Sequence, residues 1–280
     1  MSKAPTKSKP KATPLVVAPP SNKSLALIDQ ELNQEIANIK ESIGSPGGGK
    51  QIKVEPSGNF ILPDGANLGD EIHLIIVDFS TRKSFYSQPF DRNNPTPPDC
   101  YAIGKVIKAL APDDSAIPAK QHDNCAECPL NQWGSGNGGN GKACREFRDL
   151  AVLVVDPENP DAHNEPDAPI YLLSVPPTSL KAFDGFVPLV ARSLAGPPIK
   201  AIVTVKGTAV GTYATLSFTN PVPNPDYAAH AARRAETIDL LNRRPDYAGY
   251  QARPQPARRG AVPARTVARP APRSAAGGRR

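Results

Sequence analysis

Apolar positions between residues 24 and 43 recur at helical spacing. Ile28, Leu32, Ile36, Ile39 and Ile43 follow at intervals of four and three, a single stripe that predicts an amphipathic helix capped by Ser24. The stripe suits either the protein's own core or a partner helix. Gly44-Ser-Pro-Gly-Gly-Gly49 ends it and makes residues 44–51 a glycine-rich linker. From residue 52 the period becomes that of strands: Ile52-Lys-Val54, Phe60-Ile-Leu62 and Ile72 to Phe79, then Phe85-Tyr86 beyond a polar break at Ser80-Thr-Arg-Lys-Ser84. Further strands are predicted at Leu150 to Val155, Ile170 to Val175, Ala201 to Val205 and Tyr213 to Phe218. In the last, Ala214, Leu216 and Phe218 alternate with polar or amphipathic neighbours, as one buried face requires. Lys206-Gly-Thr-Ala-Val-Gly-Thr212 joins the final two as a hairpin. Thr178 or Ser179 starts a short helix through Leu180, Phe183 and Phe186 to Val190, and Asp226 caps another over residues 226–245.

About six or seven strands and one internal helix over about 170 residues predict a mainly β fold, an oligonucleotide-binding (OB)-like barrel occupying residues 52–222. Composition separates that core from its flanks. Residues 1–23 hold five lysines and no acid, and residues 246–280 are a Pro/Ala/Arg tail with eight arginines and no acid after Tyr250. Both compositions predict disorder, because they bury too little apolar surface to offset chain entropy. Without the basic arm and the last thirty residues, 20 basic side chains face 27 acids, about −7, although the whole chain reads +6. The basic character therefore belongs to the tails, where it points to a polyanion or an acidic partner. No apolar run approaches the roughly 18 residues of a bilayer span, and the first residues lack a secretory apolar segment. A cytoplasmic protein with no membrane partner is expected.

The chemistry concentrates in four cysteines: Cys100, Cys125-Ala-Glu-Cys128 and Cys144. In a reducing compartment such a cluster is read as metal ligands before disulfides. Zinc takes four soft or borderline ligands in a tetrahedron, and a Cys-x-x-Cys turn supplies two of them from one loop. Cys144 returns from beyond a glycine-rich loop and Cys100 comes from the preceding segment, which makes residues 97–146 a zinc subdomain. His122 is the alternative fourth ligand. Four thiolates on one dication leave a charge of about −2 for Lys142, Arg145 and backbone amides to offset. A set closed by four protein ligands is structural, so one structural zinc and no catalysis are expected; an iron–sulfur cluster and plain thiols are the other readings. Gly44-Ser-Pro-Gly-Gly-Gly49-Lys50 and Gly136-Asn-Gly-Gly-Asn-Gly141-Lys142 imitate a phosphate loop but continue with Gln51 and Ala143, not Ser or Thr. The four histidines are scattered and no nucleophile lies in a recognisable motif.

The run Pro98-Asp-Cys100-Tyr-Ala, Cys125-Ala-Glu-Cys128-Pro-Leu-Asn131-Gln-Trp133-Gly-Ser135, Gly141-Lys-Ala-Cys144 and Leu150-Ala-Val-Leu resembles a family of zinc-binding phage proteins assigned as single-stranded DNA-binding proteins. These are similar in plan to the T4-type phage single-strand binder, a zinc subdomain inserted into an OB barrel. The motifs cover about residues 97–155. The resemblance implies a protein that coats exposed strands during replication or recombination, with single-stranded DNA as ligand, self-association along the strand, and replication or recombination proteins as possible partners. Two features depart from the plan. The T4-type protein uses three cysteines and a histidine, and its kind ends in an acidic tail, whereas this chain ends Gly277-Gly-Arg-Arg280.

Strand binding needs cations for phosphates and exposed aromatic faces for bases. Trp133, in a polar loop, is the first aromatic candidate, with Tyr86, Tyr101 and Tyr213 behind it; the other reading of Trp133 is a cover over the zinc sulfurs. Arg82 and Lys83, then Lys142 and Arg145 beside the cysteines, are the phosphate candidates. The alternative function is a zinc-ribbon interaction module of the replication or transcription machinery, touching nucleic acid only through its basic tails.

Overall fold

The structure, a computed structural model, describes residues 50–88, 96–112, 117, 119–159 and 161–247. The basic arm, the amphipathic helix, nearly all of the glycine linker and the tail beyond Tyr247 lie outside the described residues.

Eight strands form one mixed sheet curled into a half-barrel: β1 (Gln51–Val54), β2 (Phe60–Ile61), β3 (Glu71–Phe85), β4 (Cys100–Gly104), β5 (Arg145–Val155), β6 (Tyr171–Val175), β7 (Ala201–Val210) and β8 (Tyr213–Pro223). Their order is β2-β1-β6-β5-β3-β7-β8, with β4 also on β3. The 15-residue β3 organises the sheet. β5 runs antiparallel along almost its whole length, while on its other edge β7 pairs with Glu71–Ile75 and β4 with Thr81–Phe85. The predicted polar break at Ser80–Ser84 is thus continuous strand. Its side chains explain why: Arg82 and Lys83 have acidic partners, and the Ser80 hydroxyl donates to the Leu241 carbonyl at 3.2 Å.

A register shift between Ile76 and Asp78 changes which side chains face inward. Before it Ile72, Leu74 and Ile76 enter the main core; after it Phe79 does. Ile75 and Val77 face the opposite side, in a second cluster with Ala151, Leu153, Leu172 and Leu241. Both faces being covered, Leu74 to Val77 reads as one apolar run rather than an alternation.

α1 (Leu180–Ser193) closes the main core. Phe183, Phe186 and Val190 recur on one helical face, and Phe183 meets Phe79 and Phe218 edge-on at 5.3 Å each. Ser179 precedes the helix as predicted, but its hydroxyl accepts the Leu216 N–H at 2.8 Å, tying the helix to β8. The helix expected over residues 226–245 is shorter and broken: α2 (Tyr227–Ala232), a 3-10 turn at Arg233–Glu236, and α3 (Thr237–Leu241). Tertiary anchors outweigh helical continuity here. Arg233 donates to the Ala168 carbonyl at 2.8 Å and Arg234 to the Val77 carbonyl at 3.1 Å. His230 and His163, far apart in sequence, are both buried with ring centroids 5.6 Å apart, and Asn224 donates to His230 Nδ1.

The Glu55–Asn59 turn between β1 and β2 lies directly on β7. A Cβ added at Gly207 would sit 2.0 Å from the Gly58 carbonyl oxygen, so the sheet can curl this tightly only with glycine there. Gly207→Ala is expected to destabilise the protein by about 2–3 kcal/mol, as forced overpacking does; a thermal or urea melt that matches the wild type would refute this contact.

Candidate functional site

The cysteines gather where β3 ends. β4 pairs Cys100 with Phe85, and β5 begins one residue after Cys144. Between them, the described residues 105–112, 117 and 119–143 form loops and short 3-10 turns, held by polar side chains bonded to backbone. Cys128 precedes a 3-10 turn at Pro129–Asn131. Asn131, buried, donates to the Cys125 carbonyl at 2.7 Å, and the Cys144 N–H donates to the Leu130 carbonyl at 2.8 Å. Ser135 locks the far side: its hydroxyl reaches the Leu130 carbonyl at 2.8 Å and accepts the Ala143 N–H at 3.0 Å. Here side-chain bonds to backbone replace a ladder, which is how an irregular loop satisfies its buried polar groups.

Cys100, Cys125, Cys128 and Cys144 line one cavity of about 20 Å³, together with Lys83, Tyr101, His122 and Asn131. That is room for an ion or a water and for no organic ligand. All four are free thiols, the first three buried. Each lies within electrostatic reach of the other three. Burial pushes the Cys125 thiol up to about 11 and Cys144 up to about 12, with the neighbouring cysteines adding and Lys83 opposing. Cys100 is raised by the same burial. Burial thus favours the neutral thiols of Cys100, Cys125 and Cys144. Among the described residues, no group of three or more His, Cys, Asp or Glu is drawn together tightly enough to count as a metal cluster. The four thiols share that cavity without being arranged as a metal site. His122 lines the same cavity, its Nδ1 2.9 Å from the Asn124 carbonyl oxygen and 3.1 Å from the Asn124 nitrogen.

The predicted phosphate contacts divide. Lys83 is buried and points to the cavity, 3.2 Å from Glu146. It faces the sulfurs rather than solvent. Burial would raise Glu146, but the Arg148 hydrogen bond and the Lys83 ammonium outweigh it and hold the carboxyl below the ordinary glutamate value. Arg148 also reaches Asp184 of α1 at 3.3 Å, so an ion network joins the cysteine module to the helix. Arg82 is engaged by Asp149 through two bonds of 2.6 and 3.2 Å and lies over the Phe147 ring at 4.4 Å. It keeps partial exposure. Arg145 and Lys142 are exposed, and Lys142 Nζ donates to the Asn131 side-chain oxygen Oδ1 at 3.4 Å.

Trp133 is 81% exposed, so it does not cover the sulfurs. Tyr86 is exposed, and its phenol is raised by burial against the opposing pull of Arg82 and Arg145, which places it near both cations. Tyr101 is buried beneath Tyr247, whose ring stacks on it. Tyr213 stands exposed at the tip of the β7–β8 hairpin, beyond the Glu71 end of β3, whereas the other candidates gather at the Phe85 end. Three roles had no sequence signal: Lys83 as the cation of the cavity, Phe147 beneath Arg82, and Tyr247 over Tyr101. Only register and tertiary contact create them.

No family model, curated protein or solved structure matches the chain.

Cys125→Ser and Cys128→Ser each remove a donor from the cavity. Each is expected to abolish stoichiometric zinc in the purified protein and to lower the melting temperature, because a closed site contributes folding energy. Metal analysis showing zinc in neither wild type nor variants, with identical melts, would show that the thiols pack as plain core.

Proposed function

We propose that this is a single-stranded DNA-binding protein of the phage type that coats exposed strands during replication or recombination. The observation that carries the reading is strand order. Read along β3, β5, β6, β7 and β8, the path β6-β5-β3-β7-β8 is 3-2-1-4-5, with α1 between the third and fourth strands. That is the order of an OB barrel opened between its third and fifth strands. In such barrels the face of strands 2 and 3 and the loops 1–2 and 4–5 bind oligonucleotides. Here loop 1–2 is the cysteine module with exposed Trp133, and loop 4–5 is the hairpin tip with exposed Tyr213. Both positions offer bases a free aromatic face.

Cys100, Cys125, Cys128 and Cys144 would hold one zinc, with His122 the substitute ligand. When bound, the metal would stabilise the module and catalyse nothing. Lys83 offsets thiolate charge from inside, which leaves Arg145, Lys142 and the partly exposed Arg82 for phosphates. The arginine tail adds sequence-independent phosphate contacts or docks on the acidic core of the next copy along the strand. Among the described residues no helix is long and apolar enough to cross a membrane.

One observation favours a second reading. α2, α3 and the residues after them cover the outer face of β3, β5 and β6, where an OB barrel would take its strand. A zinc-ribbon interaction module contacting nucleic acid only through tails would be built that way.

The two readings separate on binding of the full chain and of a zinc-loaded form spanning residues 50–247 to an oligonucleotide and its duplex at about 0.2 M salt. Preference of the shorter form for the single strand is expected; binding that vanishes with the tails would establish the interaction module instead. Trp133→Ala is expected to weaken strand binding by about five- to a hundredfold, one base stack, without changing the melt. Unaltered affinity would remove Trp133 from the interface.

A further inference from the structure

We propose that Asn224, His230 and His163 form an acid-sensitive clasp: proton uptake by the buried His230 ring breaks its bond to Asn224 and frees α2 from the turns at residues 162–164 and 198–200. The device stands apart from the strand-binding reading above.

Asn224 is the hub. It follows β8, and its N–H donates to the Lys200 carbonyl at 2.8 Å. Its side-chain nitrogen donates to the Ile199 carbonyl at 2.8 Å, while its side-chain oxygen accepts the Asp226 N–H at 3.2 Å. These two backbone partners fix the amide's orientation, because the flipped amide would set oxygen against a carbonyl and NH2 against an N–H. The second hydrogen of the amide nitrogen then faces His230 Nδ1 at 3.1 Å, so Nδ1 accepts and carries no proton. His230 is therefore a neutral ring with its proton on Nε2. A metal on Nε2 would need that proton moved to Nδ1, against the amide.

The surroundings oppose a second proton. His230 is 2% exposed and His163 6%, with ring centroids 5.6 Å apart. Among the described residues, His230 Nε2 and His163 Nδ1 are buried without a partner in hydrogen-bonding geometry. The charged or titratable groups acting on His230 are His163 from the 162–164 turn, Asp226 just before α2 and Arg233 just after it. Burial first, then His163, with Arg233 adding, outweigh the Asp226 carboxylate and the His163 backbone and hold the ring below the ordinary histidine value. The neighbouring charges are already engaged: Asp226 accepts from Asn164 at 3.2 Å, Arg233 pairs with Glu236 at 2.8 Å, and Lys200 lies over the Tyr227 ring at 5.2 Å.

A proton can join His230 only at Nδ1. There it sets an N–H against the Asn224 NH2 and adds a positive charge beside His163 and Arg233. Opening α2 relieves both, since the ring then takes its proton in water. A histidine held below its ordinary value of about 6.5 contributes stability that is complete above that pH and is lost as the pH falls below it. One proton gained on opening raises the opening constant by up to about tenfold per pH unit. The main core under α1 contains no residue of α2, so the opening is local.

The test uses the full chain. Between about pH 7.5 and about pH 5.5, with the intrinsic pH dependence of exchange removed, amides of Tyr227–Leu241 are expected to lose protection by up to about tenfold per unit below about pH 6.5, while Leu150–Leu153 of β5 stay protected. His230→Gln, whose side-chain oxygen accepts from Asn224 but takes no proton, is expected to flatten that dependence. Ring-nitrogen NMR of the wild type, assigned through the backbone, needs no variant: it is expected to show Nδ1 unprotonated at neutral pH and His230 titrating below free histidine. A proton on Nδ1, titration at or above free histidine, or wild-type protection over Tyr227–Leu241 that ignores pH overturns the clasp. A folded His230→Gln that keeps the wild-type pH dependence overturns it as well.

Discussion

The structure depends on one shared strand. β3 pairs with β5 along almost its whole length, with β7 on the first half of its other edge and with β4 on the second, and its bulge rephases the side chains midway. Without that bulge Phe79 would face outward and lose Phe183, while the Arg82 and Lys83 side chains would exchange faces. The apolar core, the ion network and the cysteine cavity all follow from this one register.

Charge is arranged in layers around that strand. Inside the mouth of the half-barrel, Lys83, Glu146, Arg148 and Asp184 form a chain of opposite charges linking the cysteine module to α1. Partners for every buried charge keep the desolvation cost tolerable, and the network's value lies in fixing how the module sits on the sheet. On the outer face Arg82 divides itself between Asp149 and the Phe147 ring. Lys83 among the thiols and Arg82 beside solvent, adjacent in sequence, serve opposite sides of one strand.

The cavity and the outer surface are coupled by proximity. Cys100 and Tyr101 are consecutive on β4, so whatever orders the cysteines also positions the ring on which Tyr247 rests. On the function proposed above, a structural metal there would serve the strand only indirectly, by holding β4 and the Trp133 loop in place. The C-terminal segment is part of the fold, through α2 and α3 and through Tyr247 on Tyr101.

The sequence by itself determined the elements whose signal is local. Periodicity located β1, β5, β6, β7 and β8 and the Phe183–Val190 face of α1, and cysteine spacing marked one module. Three features escaped it because their stabilisation comes from distant partners: Cys100–Gly104 becomes β4 only by pairing with Thr81–Phe85, Ser80–Ser84 looks polar, yet Asp149, Glu146 and the Leu241 carbonyl make it strand, and α2 and α3 break where Arg233 and Arg234 find sheet carbonyls. Convergence of Cys100 with the Cys125–Cys128 turn was legible from the clustering of the cysteines. That Lys83 joins them, that His163 meets His230 and that Tyr247 covers Tyr101 was decided only by tertiary structure, because pairing across the sheet, not position along the chain, sets which side chains share a face.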